Sequence, residues 1–170
     1  MFSRILVPTD FSPPSQMALD QARMLAQTFG SSLQLLHVVE EPIPSTGFVA
    51  DGFAPETDSL REGRLAQARD ALARLVSATD RAHVRVRTDA VMGVPAAAIV
   101  DYAVATGTDL IVMGTNGRTG LAHLLMGSVA EQVVRTASCA VLTVRQAPAA
   151  AQHTVALATC AATCAVPLSV

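Results

Sequence analysis

Three glycines and one arginine separate a strand-like run from a helix-like run in the segment GTNGRTG, residues 114–120. A connection between two such elements needs only a few residues, so the excess of small residues suggests that the backbone contacts a ligand. Glycine permits positive φ angles and carries no Cβ to hold a ligand away. Successive free amides form an anion-binding nest, which a following helix N-terminus reinforces. The segment predicts a phosphate-binding loop, with an ordinary surface loop as the alternative.

A second pair of small residues, Gly127 and Ser128, follows Gly117 after nine intervening residues, 118–126. Ser128 is a suitable helix N-cap, and Glu131 three residues later would complete a capping box. Free amides at this helix start, together with the Ser128 hydroxyl, would give a second phosphate contact.

Two polar residues, Thr9 and Asp10, end the first apolar run of the chain. Asp10 has two interpretations: it caps the helix that follows, or its carboxylate accepts hydrogen bonds from a ligand. Arg118 likewise is either a phosphate contact or a solvated charge. His37, by contrast, is expected to be a core or pocket-wall residue rather than a catalyst.

The elements that would position these residues are five short apolar runs, which predict strands at 4–10, 32–40, 83–89, 109–114 and 139–145. Four runs are nearly continuous in Val, Ile and Leu, which is typical of strands buried on both faces of a parallel sheet. The third alternates, with Val84 and Val86 on one side and Arg85 and Arg87 on the other, so we expect it at an edge.

Three segments between the runs repeat apolar residues at helical spacing. The stripes are Ala18, Ala22, Leu25 and Phe29; Leu65, Ala68, Leu72 and Leu75; and Ile99, Val100, Ala103 and Val104. Ser12 and Pro13 mark the start of the first helix and Gly30 its end. The alternation of strands and helices predicts a single-domain α/β fold: an open parallel five-stranded sheet with right-handed crossovers and helices on both faces.

Ligands of such sheets bind beyond the carboxyl ends of the strands, where the strand order reverses. With the order 3-2-1-4-5, the first and fourth strands are neighbours at the reversal. Thr9 and Asp10 would then face Gly114 across one crevice.

The spacing GxxG, nine residues and GS, from Gly114 to Ser128, resembles the ATP-binding pattern of the universal stress protein family. The segments ILVPTDFS, LQLLHVVE and VLTVR resemble the first, second and last strands of that family. The resemblance covers residues 2–145 and implies a Rossmann-like, adenine nucleotide alpha hydrolase-like domain over 1–146. At 115 and 116 the chain has Thr and Asn where related sequences often carry Ser or Thr and then His, so no histidine contribution is expected in the loop.

The resemblance implies an ATP site, or a site for another adenine nucleotide, with or without Mg²⁺. Asp10 would bind the ribose hydroxyls, and Val38 would meet adenine through its backbone. The pocket would be lined by Pro8, Thr9 and Met113. The phosphates would be held by Gly114, Gly117, Arg118, Gly127, Ser128 and Val129.

A binding and regulatory role in a stress response is favoured over catalysis, because the sequence lacks GxSxG, HExxH and GxxxxGK[ST] motifs. Asp10, the one candidate base in the matched motif, is assigned to the ribose. A weak ATPase or phosphotransferase is the alternative from the enzyme class. A flavodoxin-like flavin carrier is a third, drawing on TDFSPPS as a hydroxyl-rich loop, although one tyrosine and no tryptophan leave little aromatic surface for a flavin.

Composition and charge argue against several classes of partner, site and location. A net charge of -2 without a basic run argues against nucleic acid. All 12 basic residues are arginine, which excludes P-loop and Schiff-base lysines. Three cysteines without a secretory segment indicate a reduced compartment, and no apolar stretch reaches the roughly 20 residues of a membrane span. We expect a cytoplasmic protein without a membrane partner.

The remaining expectations concern surfaces. The last run is predicted to be the second sheet edge, where Val141, Leu142 and Val144 would invite pairing with a second copy, and the resemblance implies the same homodimer. Residues 41–58, rich in Pro and Gly, predict a lid or mobile element. Residues 147–170 are interpreted as a C-terminal extension of unknown role.

Overall fold

A computed structural model describes residues 2–40, 58–115 and 126–145. The predicted lid at 41–58 falls outside these residues except for Asp58, which begins a helix, and so do the extension at 147–170 and the loop residues Gly117 and Arg118. Within the described ranges the elements are β1 (Arg4–Pro8), α1 (Pro13–Phe29), β2 (Ser32–Val39), α2 (Asp58–Leu75), α3 (Ala78–His83), β3 (Val86–Met92), α4 (Pro95–Thr106), β4 (Leu110–Gly114), α5 (Ser128–Thr136) and β5 (Ala140–Val144).

The strands form a five-stranded parallel sheet in the order β3-β2-β1-β4-β5. This is the predicted order, and β3 occupies the predicted edge. Alternate residues of the strands point to opposite faces, and each face carries its own core. Ile5, Val7 and Leu35 pack with α1 and α2 on one face, whereas Leu6 and Ile111 pack with α4 and α5 on the other. Helices therefore cover both faces, and the predicted fold class is confirmed.

Helix α1 begins and ends at the residues that the sequence indicates. Ser12 is its N-cap, with extended φ and ψ of -78° and 161°, and Pro13 stands in the first turn. Gly30 caps the other end in the left-handed conformation, with φ of 67° that glycine adopts without strain. These caps fix the chain entering α1 directly after β1, which positions Thr9 and Asp10.

The third strand lies later in the chain than expected. A capping box between Ser77 and Asp80 starts the short helix α3, which the sequence reading missed, and Val84 is the residue after that helix. The strand consequently runs from Val86 to Met92 instead of from 83 to 89. The alternation of Val84 and Val86 with arginines therefore does not mark a single strand. Val84 is buried as the C-cap of α3, and the strand begins at Val86.

Two ends of the predicted helical stripes are also corrected. Val104 of α4 is 62% exposed, and the buried residues of that helix are Ala96, Ile99 and Ala103. Phe29 is 37% exposed at the end of α1, where its ring meets Phe2 edge-on at 6.3 Å. None of the helices in the described part of the chain is long and apolar enough to cross a membrane.

Candidate functional site

A cleft of about 600 Å³ lies at the carboxyl ends of β1, β2 and β4, beside the start of α5. It occupies the point where the strand order reverses, since β1 pairs with β2 on one side and with β4 on the other. Of the residues predicted from the sequence, those that line it are Pro8, Thr9, Asp10, Val38, Met113, Gly114, Gly127, Ser128 and Val129. The two tips that the sequence placed across one crevice do share it.

One wall of the cleft is apolar and continues the core between the sheet and the helices α4 and α5. Leu36 of β2 and Met113, one residue before the end of β4, are 0% and 5% exposed, and Val38 packs against the same cluster. Ile99 of α4 and Ala130 of α5 complete this wall. Apolar lining with a few polar groups at the rim is typical of small-molecule sites, and this wall suits a flat, uncharged part of a ligand.

The opposite wall is the turn between β1 and α1, which a network of side chains holds. The Thr9 hydroxyl accepts from the Phe11 amide at 3.1 Å and lies 3.0 Å from the Ser15 hydroxyl. The Ser15 hydroxyl in turn donates to the Ser12 carbonyl at 2.9 Å. The amide and hydroxyl of Ser12 both donate to Oδ1 of Asp10. Ser12, not Asp10, is the helix cap, which leaves Asp10 as a carboxylate held in place at the cleft.

The charge of Asp10 follows from its surroundings. Burial by itself would raise the pKa of this half-buried carboxyl, but the hydrogen bonds from the side chain and backbone of Ser12 outweigh burial, and the pKa lies below its ordinary value. Asp10 is consequently ionised at neutral pH. An ionised carboxylate at a strand tip accepts hydrogen bonds from ligand hydroxyls.

Phe11, between Asp10 and Ser12, has a left-handed backbone with φ of 64°. Among the described residues it is the one non-glycine residue with a positive φ. Such a conformation in a bulky residue costs on the order of 1–3 kcal/mol and persists where its surroundings impose it. Its ring packs on the imidazole of His37, with centroids 4.6 Å apart. The strain therefore lies directly beside the carboxylate of the cleft.

Gly114 ends β4 for a steric reason that differs from the predicted one. Its φ is not among the positive values of the described glycines. A Cβ at this position would lie 2.9 Å from the carbonyl carbon of Pro14 and 3.0 Å from its Cβ and oxygen. The glycine allows the first turn of α1 to approach the tip of β4.

The start of α5, where the sequence predicts part of an anion site, lies at the cleft, and two of the expectations for it are corrected. Gly127 is the N-cap and Ser128 the first helical residue, and no side chain caps this end, so the predicted capping box of Ser128 and Glu131 is wrong. The Gly127 amide donates to the Thr115 carbonyl at 2.6 Å and is not free for an anion. Glu131 instead pairs with Arg135 at 3.2 Å. The amides of Ser128 and Val129 remain in the first turn, where a helix has no internal acceptors for them.

The sequence matches the profile of the Universal stress protein family over residues 1–145. The chain belongs to the universal stress protein family. The family resemblance read from the glycine spacing is thereby confirmed. Universal stress protein MJ0531 of Methanocaldococcus jannaschii is 35% identical to it over 146 residues, which are 86% of this chain and 84% of that protein.

Solved structures of other proteins agree with the fold of this universal stress protein. That of MJ0577 from Methanocaldococcus jannaschii is 28% identical, covers 87% of this chain and 99% of its own, and superimposes with a TM-score of 0.74. A universal stress protein solved in complex with cAMP is 26% identical, covers 85% of this chain and 97% of its own, and gives a TM-score of 0.57.

Several residues that line the cleft of this universal stress protein were not predicted as site residues. Glu40 and Arg64 stand at the β2 end, where the Arg64 guanidinium donates to the Glu40 carbonyl at 2.8 Å. Pro95 and Ser15 come from the first turns of α4 and α1. Arg64 is one of several arginines on an exposed helix, so nothing in the local sequence distinguishes it. Proline at a helix start is a visible signal, and only the sheet order shows that this start faces the cleft.

Proposed function

We propose that this universal stress protein binds an adenine nucleotide, foremost ATP, and acts as a regulatory stress-response protein in the cytoplasm. The observation that carries the proposal is the combination, in one cleft, of an apolar wall, an ionised carboxylate and a helix N-terminus. These three features match the base, the sugar and the phosphates of a nucleotide.

The base would lie against the wall that Leu36, Val38 and Met113 form. Val38 ends this wall at the cleft, and its backbone is assigned to the adenine edge. Asp10 would accept hydrogen bonds from the ribose hydroxyls, because its carboxylate is ionised and held by Ser12. A hydrogen bond to a charged group contributes more than one between neutral groups, so the sugar contact would be a strong part of the affinity.

The phosphates would lie at the start of α5. Ser128 is exposed there with its hydroxyl and its amide in the first turn, and the helix dipole favours negative charge at this end. Gly114 and Gly127 would bound this part of the cleft, and Gly117 and Arg118 are assigned to the same phosphates from the adjoining loop.

Magnesium would accompany ATP and not occupy a site of its own. The residues that the structure describes contain no group of three or more His, Cys, Asp or Glu side chains arranged for a metal ion. Mg²⁺ is commonly held by one or two protein oxygens together with phosphates and waters, and the Ser128 hydroxyl fits as one such oxygen.

The structural relative in complex with cAMP supports the proposal, because that protein binds an adenine nucleotide on a fold that this chain shares. ATP remains the leading candidate here on the strength of the GxxG, nine-residue and GS spacing from Gly114 to Ser128.

The test is calorimetric titration of the full chain with Mg²⁺–ATP, comparing the wild type with Asp10→Ala. We expect the substitution to weaken binding by about ten- to a hundredfold, since it removes a charged acceptor. Asp70→Ala, which removes an exposed carboxylate on α2, is the control and should bind as the wild type does. Equal affinities of the Asp10 variant and the wild type would contradict the site, and ADP released above a protein-free control would favour the ATPase alternative.

A homodimer through β5 is part of the same proposal. Among the described residues β5 pairs on one side only, with β4, and its outward-facing Leu142 is 40% exposed. An edge strand with exposed apolar side chains is a ready template for a second copy.

A further inference from the structure

The turn that carries Asp10 is held from two sides. On the helix side, Ser12 and Ser15 bind it through hydrogen bonds. On the sheet side, the contacts come from two consecutive residues of β2. The Leu36 carbonyl accepts from the Thr9 amide at 2.8 Å, and the His37 imidazole reaches the Thr9 carbonyl.

The bond between His37 and Thr9 has one possible direction. Nδ1 of His37 lies 2.7 Å from the Thr9 carbonyl oxygen, and a carbonyl oxygen only accepts, so Nδ1 carries the proton. The Thr9 carbonyl belongs to the peptide unit that leads into Asp10. The hydrogen bond from the imidazole therefore fixes the orientation of the peptide group before Asp10, and with it the direction in which the Asp10 side chain projects.

The ring of His37 has a second contact in the same turn. It packs against the ring of Phe11 at 4.6 Å with a tilt of 40°, although Phe11 remains 38% exposed. Burial alone does not account for a strained, left-handed residue at so exposed a position. A left-handed bulky residue indicates that surrounding contacts impose it, commonly at a functional site, and His37 provides such a contact.

We propose that His37 is a positioning residue, which orients the Asp10 carboxylate toward the ribose of the bound nucleotide by holding the Thr9 carbonyl and the Phe11 ring. This inference rests on the proposed nucleotide-binding function and adds a determinant of sugar recognition. The imidazole lies beside this turn because β1 ends at Pro8, opposite Leu36, while β2 continues to Val39, so that His37 is one residue beyond the last pair between β1 and β2. His37 also lines the cleft, but its Nδ1 and its ring are engaged by Thr9 and Phe11, so its effect on the ligand is assigned to its hold on Asp10.

A purely structural histidine and a positioning histidine differ in a measurable way. If His37 only stabilised the turn, its loss would weaken the binding of all nucleotides alike or lower the melting temperature of the protein. If it orients Asp10, its loss removes the preference for a ligand that has ribose hydroxyls over one that lacks them. The ratio of affinities for ATP and 2′,3′-dideoxy-ATP reports this difference.

The experiment measures that ratio by calorimetry on the full chain for the wild type, His37→Phe and His37→Asn, with a melting curve for each. Phenylalanine keeps a ring against Phe11 but has no donor, whereas the Asn amide can take the place of Nδ1. We expect the wild type to prefer ATP by about tenfold, the Phe variant to lose that preference, and the Asn variant to retain most of it.

His83→Phe is the matched control. His83 also directs Nδ1 to a backbone carbonyl, that of Thr79 at 3.0 Å, but on α3 and with an exposed side chain, so its loss should leave the ratio unchanged. His37→Gln, whose amide reaches the position of Nε2 rather than Nδ1, is a second loss variant should the Phe variant fail to fold.

If the loss variant keeps the wild-type preference for ATP over 2′,3′-dideoxy-ATP, the positioning role is overturned and the proposed function is unaffected. The same conclusion follows if the Asn variant loses that preference as fully as the Phe variant does. A wild type that binds neither nucleotide would overturn the proposed function and this inference together. Loss of the ratio in the Phe variant with retention in the Asn variant supports both.

Discussion

Gly114 shows how one missing methyl group positions a site. The tip of β4 and the first turn of α1 approach so closely that a Cβ on Gly114 would meet backbone atoms of Pro14 at 2.9 to 3.0 Å. We expect Gly114→Ala to lower the free energy of unfolding by about 1–3 kcal/mol, because backbone has to move to admit the methyl group. We also expect weaker ATP binding, since α1 carries the Ser12 cap that holds Asp10. Chemical denaturation and titration of the same sample measure both effects.

Gly63→Ala is the matched control for this prediction, with the opposite sign expected. Gly63 lies inside α2, and a Cβ there would meet nothing within 4 Å. Alanine in an open helical position stabilises a protein by roughly 0.5–1 kcal/mol relative to glycine. If both alanine variants changed stability in the same direction, the steric explanation for Gly114 would be wrong.

At the residue scale the sequence indicated which positions meet and not how they act. Asp10, Gly114 and Ser128 are brought to one cleft as the glycine spacing and strand order predicted. The bond of the Gly127 amide to Thr115 and the contact of Gly114 with Pro14 depend on distances between elements far apart in the chain. Residue types and spacing carry no information on such distances.

At the scale of the elements, the short helix α3 is held by a tertiary contact with α1. Asp80 is 4% exposed, and its carboxylate accepts from the Ser77 amide and from the Arg23 guanidinium of α1. Burial alone would raise the pKa of Asp80, but the bonds from Ser77 and Arg23 outweigh it and lower the pKa below its ordinary value. Arg23 also donates to the Leu75 carbonyl at the end of α2, so this one side chain joins three helices.

We expect Arg23→Ala to lower the free energy of unfolding by about 3 kcal/mol, because it leaves the Asp80 carboxylate buried without its cation. Asp20 is the other partner of Arg23, and the Asp20 side chain is 58% exposed. Asp20→Ala should therefore change the free energy of unfolding by less than about 0.5 kcal/mol. Denaturant titration at neutral pH compares the two. If both substitutions lowered the free energy of unfolding equally, the pair of Arg23 and Asp80 would not be the main contribution of Arg23 to stability.

This contact also explains why the sequence misplaced β3. Periodicity detects long amphipathic elements such as α1, whose caps Ser12 and Gly30 were recognised. A helix of 6 residues is too short for a helical stripe, and its capping box was the available signal. Because α3 takes up residues to His83, the strand begins at Val86 and ends at Met92.

At the scale of the whole molecule, the alternation of strands and helices predicted a parallel sheet with right-handed crossovers, and the order 3-2-1-4-5 was a further expectation, which the structure confirms. That order alone places the ends of β1 and β4 side by side and generates the cleft between them. It also leaves β5 at an edge, and this consequence extends beyond one copy of the chain.

The assembly is therefore predicted to be a dimer that a charge on β5 disrupts. Leu142 of β5 and Val134 of α5 are 40% and 46% exposed, so Leu142→Arg would put a charge where a second apolar edge has to pack. Light scattering at micromolar concentration should give twice the chain mass of 17.7 kDa for the wild type and a single chain mass for this variant. Leu60→Arg, at a position on α2 that is 60% exposed, should stay dimeric. A monomeric wild type would contradict the β5 interface, whereas loss of the dimer in the Leu60 variant as well would place the contact elsewhere.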